Sequence, residues 1–169
     1  YGEKGIARIA GITTGQVVDA GIRDSMNMGA AMAPAAFHTV MQNLKDLEIT
    51  KKQLESGWYD KIITGDLGKI GKQALAEFIR NEGLEAEEFL MDCGMEIYDS
   101  SDQDTHAGGS GCGCSALVLG ALILPNIQAG IWRRVLFIPT GALLSTVSFN
   151  EGQTIPGIAH GIILEGMGK

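Results

Sequence analysis

The sequence predicts an α/β domain. Short apolar, β-branched runs alternate along the chain with longer stretches whose apolar residues recur at helical spacing. Glycine, unusually frequent at 24 residues, falls mainly in the connections between those runs. The 169 residues are 45% hydrophobic and 20% charged, enough for one domain with a real core. The expected layout is about five strands alternating with three main helices.

Residues 7–18 read as the first strand, which Gly11 and Gly15 weaken or bulge. Pro34 suits the first turn of a helix running to about Leu47, with Phe37, Val40, Met41, Leu44 and Leu47 on its core face. Met28 and Met32 read as core residues, and His38 as a lone helical histidine. Thr50 and Gln53 form a capping box, opening a short helix through Leu54 that ends near Gly57. Residues 58–64 read as a strand. A helix over 69–81 follows, with Ile70, Leu75, Phe78 and Ile79 inward and Gly83 as its stop. Residues 91–98 read as a short strand, and 99–104 as a polar loop. Residues 115–129 form a helix apolar nearly all round, shortened or kinked at Pro125. Residues 133–143 read as a buried strand with an irregular point at Pro139, and 157–165 as the last strand.

Net charge is −7, and no basic stripe is visible, which argues against nucleic acid as a partner. No signal peptide is visible, and the longest apolar run is too short to span a bilayer. Cys93, Cys112 and Cys114 make no even disulfide framework and read as small, reduced, buried thiols. Zinc is not expected, because Cys112-x-Cys114 is tighter than a knuckle and lacks a second pair. No metal and no cofactor are expected. The 65–72 run fails as a P-loop, since Gln73 stands where a magnesium-holding Ser or Thr is needed. The loop at 99–104 lacks the EF-hand glycine and terminal glutamate. Gly111-x-Gly113-x-x-Ala116 matches a dinucleotide fingerprint in letters, but no predicted strand precedes it and no acidic residue lies about twenty positions on.

The most informative stretch is His106-Ala107-Gly108-Gly109-Ser110-Gly111-Cys112-Gly113-Cys114-Ser115, which enters an apolar helix. Such a loop can offer free backbone N–H groups to an anion. It can equally let the chain pass a crowded helix start. Both fit the spacing.

This stretch resembles the Gly-His-Pro-x-Gly-x-Ser-Gly loop of thiolases and the Gly-Asn-Thr-Ser-Ala-Ala-Ser loop of the ketoacyl synthase III type. Residues 27–35, Asn-Met-Gly-Ala-Ala-Met-Ala-Pro-Ala, resemble the substrate loop and helix start of thiolases. Tyr59-Asp60-Lys61-Ile62-Ile63-Thr64-Gly65-Asp66 is similar to the synthase strand that delivers His-Gln, and 157–165 to the thiolase terminal strand. The departures are chemical. Ser110 replaces the catalytic His or Asn, Gly65 replaces the synthase His, and no Cys lies in the last strand. These departures imply a scaffold used for binding rather than acyl transfer.

Three strings resemble one branch, the stage V sporulation protein AD family. They are Thr64-Gly65-Asp66-Leu67-Gly68-Lys69-Ile70-Gly71, Asp104-Thr105-His106 through Ser115, and Pro139-Thr140-Gly141-Ala142-Leu143-Leu144-Ser145. The resemblance implies an α/β chain that is the C-terminal half of a thiolase-like fold, a roughly five-stranded mixed sheet with helices on both faces. The N-terminal half is expected to lie outside this chain, which begins at Tyr1. The implied function is non-enzymatic binding of dipicolinic acid (pyridine-2,6-dicarboxylate) during its movement into and out of spores. The alternative is an acyltransferase or ketoacyl synthase acting on acyl thioesters, and a third reading is a purely structural docking role. Ser110, Gly111, Cys112, Asp66 and Asn27 are the expected ligand-binding residues. Implied partners are dipicolinate, alone or as its calcium chelate, the N-terminal half and other dipicolinate channel proteins; a homodimer is admitted. The implied location is peripheral, at the spore inner membrane. Asp66 is an awkward neighbour for a dianion unless calcium accompanies the ligand or Asp66 faces a loop amide.

Overall fold

A computed structural model describes residues 5–99, 101–105 and 111–167. At its centre is a mixed sheet of five strands. These are β1 (Ala7–Thr13), β2 (Lys61–Thr64), β3 (Leu90–Asp92), β4 (Arg134–Ile138) and, after two short strands described below, β7 (Gly161–Gly166). Their order across the sheet is β1-β7-β4-β2-β3. The pairs β2–β3 and β2–β4 are parallel, whereas β7 runs antiparallel to both β1 and β4. The α/β class and the mixed five-stranded sheet thus match the expectation.

Strand alternation puts a core on each face. Ile62, Leu136, Ile138 and Ile163 meet α1 (Met28–Asp46), α2 (Lys51–Glu55) and α3 (Gly68–Asn81). On the other face Ile63, Val135, Phe137 and Leu164 meet α4 (Cys93–Glu96) and one long helical segment. That segment is α5 (Cys114–Val118), a π turn (Leu119–Ile123) and α6 (Leu124–Gln128). Its inward side chains are Cys114, Val118, Ile123 and Ile127. The five-residue step from Val118 to Ile123 is the one the wider turn accommodates. Pro125 falls in the first turn of α6, where its missing N–H costs least.

Several elements differ from expectation for identifiable reasons. β1 stops at Thr13, because the chain then turns to run against the 157–160 segment; Gly15 donates its N–H to His160 Nδ1 at 3.0 Å. A Cβ on Gly15 would lie 1.5 Å from the Ala159 carbonyl oxygen. The expected bulge is present, as the β1–β7 register shifts between Ile9 and Gly11. α1 begins at Met28, so Pro34 lies inside it rather than in its first turn. Small residues at 29–31 carry those early turns against the neighbouring helix. Leu47 and Ile70 are exposed instead of inward, and Met28 is 40% exposed while Met32 is core. Residues 91–98 divide into the end of β3 and α4.

The 133–143 and 157–165 strands are each broken once. On the far side of Pro139 and His160 lie β5 (Thr140–Ala142) and β6 (Gly157–Ala159), a separate two-stranded sheet over α1. The partners Phe137↔Ile162 and Thr140↔Ala159 keep one register across the break, so the two strands form a single bent ribbon. Between β5 and β6, Ser145 caps α7 (Thr146–Asn150) with a capping box. The Thr50–Gln53 capping box is present as read, and Gly57 and Gly83, read as helix ends, have positive φ. At the far sheet edge Glu165 accepts from Arg8 Nη2 at 2.7 Å and Arg134 Nε at 2.6 Å, which holds its carboxyl below the usual range. Arg134 also stacks over Trp58, 4.4 Å from the ring centroid. Among the described residues no helix is long and apolar enough to cross a membrane.

Candidate binding edge at the carboxyl ends of the parallel strands

The parallel strands β2, β3 and β4 end together, and open α/β sheets bind ligands at such carboxyl edges. The segments leaving them begin Gly65-Asp66-Leu67, Cys93-Gly94 at the start of α4, and Pro139-Thr140 at the entry to β5. Gly65 N–H donates to the Ile138 carbonyl at 3.0 Å. Asp66 N–H donates to Thr140 Oγ1, also at 3.0 Å. The β2 loop is therefore tied to the β4 loop through backbone and hydroxyl.

The anchor of this edge is Asp92, which is fully buried at the end of β3. Its Oδ2 accepts from the Thr64 hydroxyl at 2.6 Å and from Leu67 N–H at 2.8 Å; its Oδ1 accepts from Gly68 N–H at 2.9 Å. It thus caps the start of α3, which has no cap from its own side chains. Burial pushes its carboxyl up, against the pull of these three donors, and the neighbouring Asp66 charge adds to the rise.

Asp66 is half-buried beside it, with Gly94 between the two acids. A Cβ on Gly94 would lie 2.0 Å from Asp66 Oδ1 and 3.1 Å from Asp92 Oδ1. Only a glycine there leaves both carboxylates their seats. Asp66 Oδ2 accepts the backbone N–H of Gly111 at 2.9 Å. The acid therefore faces a loop amide, one of the two resolutions the sequence left open.

Of the expected site residues, the structure brings Asp66 and Gly111 together. Cys112 is exposed, contrary to the expectation that all three thiols are buried; it lies between Gly111 and Gly113, ahead of α5, whose inward face begins at Cys114. Cys93 and Cys114 are buried, and burial pushes the Cys93 thiol up to about 12. Asn27 precedes α1 and makes no side-chain cap bond. Two residues on, a Cβ on Gly29 would lie 2.0 Å from the Leu67 carbonyl oxygen, so the start of α1 abuts the same edge. Ser110 and His106 lie outside the described residues. Sequence reading missed Asp92, Gly94 and the hydroxyls of Thr64 and Thr140. An aspartate closing the apolar run Phe89-Leu90-Met91 was the available signal, since a buried acid needs partners. Gly65 takes on a second meaning, because a Cβ there would meet the Thr140 backbone nitrogen at 2.6 Å.

The model of the family described as Stage V sporulation protein AD matches residues 2–165. The chain belongs to the stage V sporulation protein AD family. It is 42% identical over 164 residues to the Stage V sporulation protein AD of Bacillus subtilis (strain 168), covering 97% of this chain and 47% of that protein. The chain thus spans about half the length of this curated family member. Among solved structures it is similar to a ketosynthase in complex with its chain length factor from Xenorhabdus doucetiae, at 12% identity and a TM-score of 0.43. That match covers 96% of this chain and 80% of the solved chain. In family terms, two of the strings quoted from the sequence surround this edge: Thr64 to Gly71 runs from β2 into α3, and Pro139-Thr140 supplies the facing loop.

Proposed function

We propose that this chain is the C-terminal half of a non-enzymatic, thiolase-like protein that binds dipicolinate for its passage into and out of spores. Family membership, together with the dipicolinate association that the resemblance implies, supports the ligand. The observation that carries the non-enzymatic part is the closure of position 65. The Cβ of a synthase-type histidine at Gly65 would lie 2.6 Å from the Thr140 backbone nitrogen, so this backbone does not accommodate that base or oxyanion donor as it stands. What the edge does offer is polar: the Gly111 amide, the Thr140 hydroxyl and two acids that a dianion must meet with a counter-charge or by displacement. A calcium chelate of dipicolinate would bring such a counter-charge. The remaining wall of the pocket is assigned to the N-terminal half. The working place is the spore inner membrane, where the protein is peripheral and sits beside the other channel proteins.

The test is calorimetric titration of dipicolinate, with and without calcium, into the full-length protein and into this 169-residue chain. Saturable heat from the full-length protein alone supports a pocket shared between halves. Turnover of acyl thioesters by the full-length protein would overturn the reading in favour of an acyltransferase. Absence of binding in both proteins would leave a docking role.

A further inference from the structure

We propose that Asp66 is an internal latch on the glycine loop, occupying the Gly111 N–H until a ligand carboxylate displaces it. The proposal rests on the dipicolinate reading of the same edge. Gly111 is exposed and has a φ of 83°, yet its N–H is already taken by a carboxylate 45 residues away in sequence. The seat of that carboxylate is built from three sides. Thr140 Oγ1 fixes the Asp66 backbone, Gly94 supplies the space that a Cβ would fill, and Asp92 locks the following residues Leu67 and Gly68 to β3. A loop amide paired with an acid of the chain itself is not open to a second anion. A free carboxylate added beside Asp66 would set two acids against each other at Gly111, with the buried Asp92 behind Gly94. Exchange, with the incoming carboxylate accepting from Gly111 and Asp66 swinging out toward solvent, keeps the number of acids at the loop unchanged. The latch thus holds Gly111 to the sheet edge until ligand arrives and sets a threshold that a weak or singly charged ligand does not cross.

The test uses the full-length protein selectively labelled with nitrogen-15 glycine, and the variants Asp66→Ala, Asp66→Asn and Gly94→Ala. Gly94→Ala keeps the acid but pushes it from its seat, so it does not depend on a charge deletion that could unfold the edge. The first readout is the Gly111 amide resonance during titration with sodium acetate. The expected result is a saturable shift in Asp66→Ala and Gly94→Ala, a smaller one in Asp66→Asn and none in the wild type. The second readout is dipicolinate calorimetry, where Asp66→Ala is expected to bind about tenfold more tightly, the scale of one charge-assisted hydrogen bond. An amide in Asp66→Ala that ignores acetate overturns the latch, whatever dipicolinate does. Weaker dipicolinate binding by both Asp66→Ala and Gly94→Ala also overturns it, making Asp66 a ligand contact. An amide that answers acetate while no variant binds dipicolinate upholds the latch and removes the dipicolinate reading.

Discussion

Gly65 packs against the backbone of Thr140, and that contact decides what a side chain at this position would do. Gly65→His is expected to destabilise the protein by about 1–3 kcal/mol, the usual cost of overpacking, and to confer no acyl-transfer activity. Urea denaturation and a thioester assay check both parts. Asp92 makes the other prediction at this scale. Its folded carboxyl binds a proton more tightly than its ordinary value of 3.8, because burial outweighs three donors. Between 3.8 and the raised folded value the native state therefore holds more proton than the unfolded chain. The stability contributed by this group is fully present below 3.8 and declines as pH rises through the folded value. Asp92→Asn removes that slope. It also sets a side-chain NH2 against the backbone N–H of either Leu67 or Gly68, since an amide has one oxygen where the acid has two. The loss is expected to cost about 1–3 kcal/mol at neutral pH. Denaturation curves across the acid range separate the two effects. The glycine at 65 and the acid at 66 were legible in the sequence. For Asp92 the sequence signalled only an acid closing an apolar run; its partners depend on β3 lying beside β2, a pairing that no local pattern specifies.

At the scale of elements, α1 and α3 cross closely enough that glycine is required on both. A Cβ on Gly71 would lie 2.7 Å from the Gly29 carbonyl oxygen, while Phe37 and Phe78 meet at 5.7 Å between ring centroids. Exposed helical Gly→Ala changes gain up to about 1 kcal/mol from propensity. Gly71→Ala is expected to reverse that sign and to lower thermal stability, because steric overlap with backbone costs more than propensity returns. Gly120→Ala, where nothing lies within 4 Å, is the control that should stabilise or be neutral. Helices announced themselves well in the sequence: the capping box at Thr50, the stop at Gly83 and the inward Leu75 and Ile79 are all where the spacing puts them. Boundaries were less legible where tertiary contact overrides local preference. β1 ends early because Gly15 must pass the Ala159 carbonyl, and Met28 is drawn into α1 although Pro34 follows six residues later.

For the whole molecule, the long helical segment after the glycine loop is buried on one side only. Ala116, Leu117, Gly120 and Ala121 face outward, Leu117 with 60% of its surface exposed. A contiguous apolar row of this kind favours association in water. The isolated chain is expected to run above its monomer size in gel filtration and to bind a hydrophobic dye; Leu117→Lys should reduce both. The sheet and its two cores follow from the alternation of strands and helices, whereas the break at Pro139 and His160 shows in the sequence only as one proline. That break gives the molecule two clocks. The β4–β7 ladder has strands on both sides, whereas the β5–β6 sheet, one end of the same ribbon, has two strands with an isolated bridge from Val18 to Gly157 beside it. Local opening there gives up fewer hydrogen bonds and less buried surface than opening the central sheet. In deuterium exchange the amides of the Gly141↔Ile158 pair should therefore wash out well ahead of those of the Val135↔Leu164 pair, so that one unbroken register is read out at two rates.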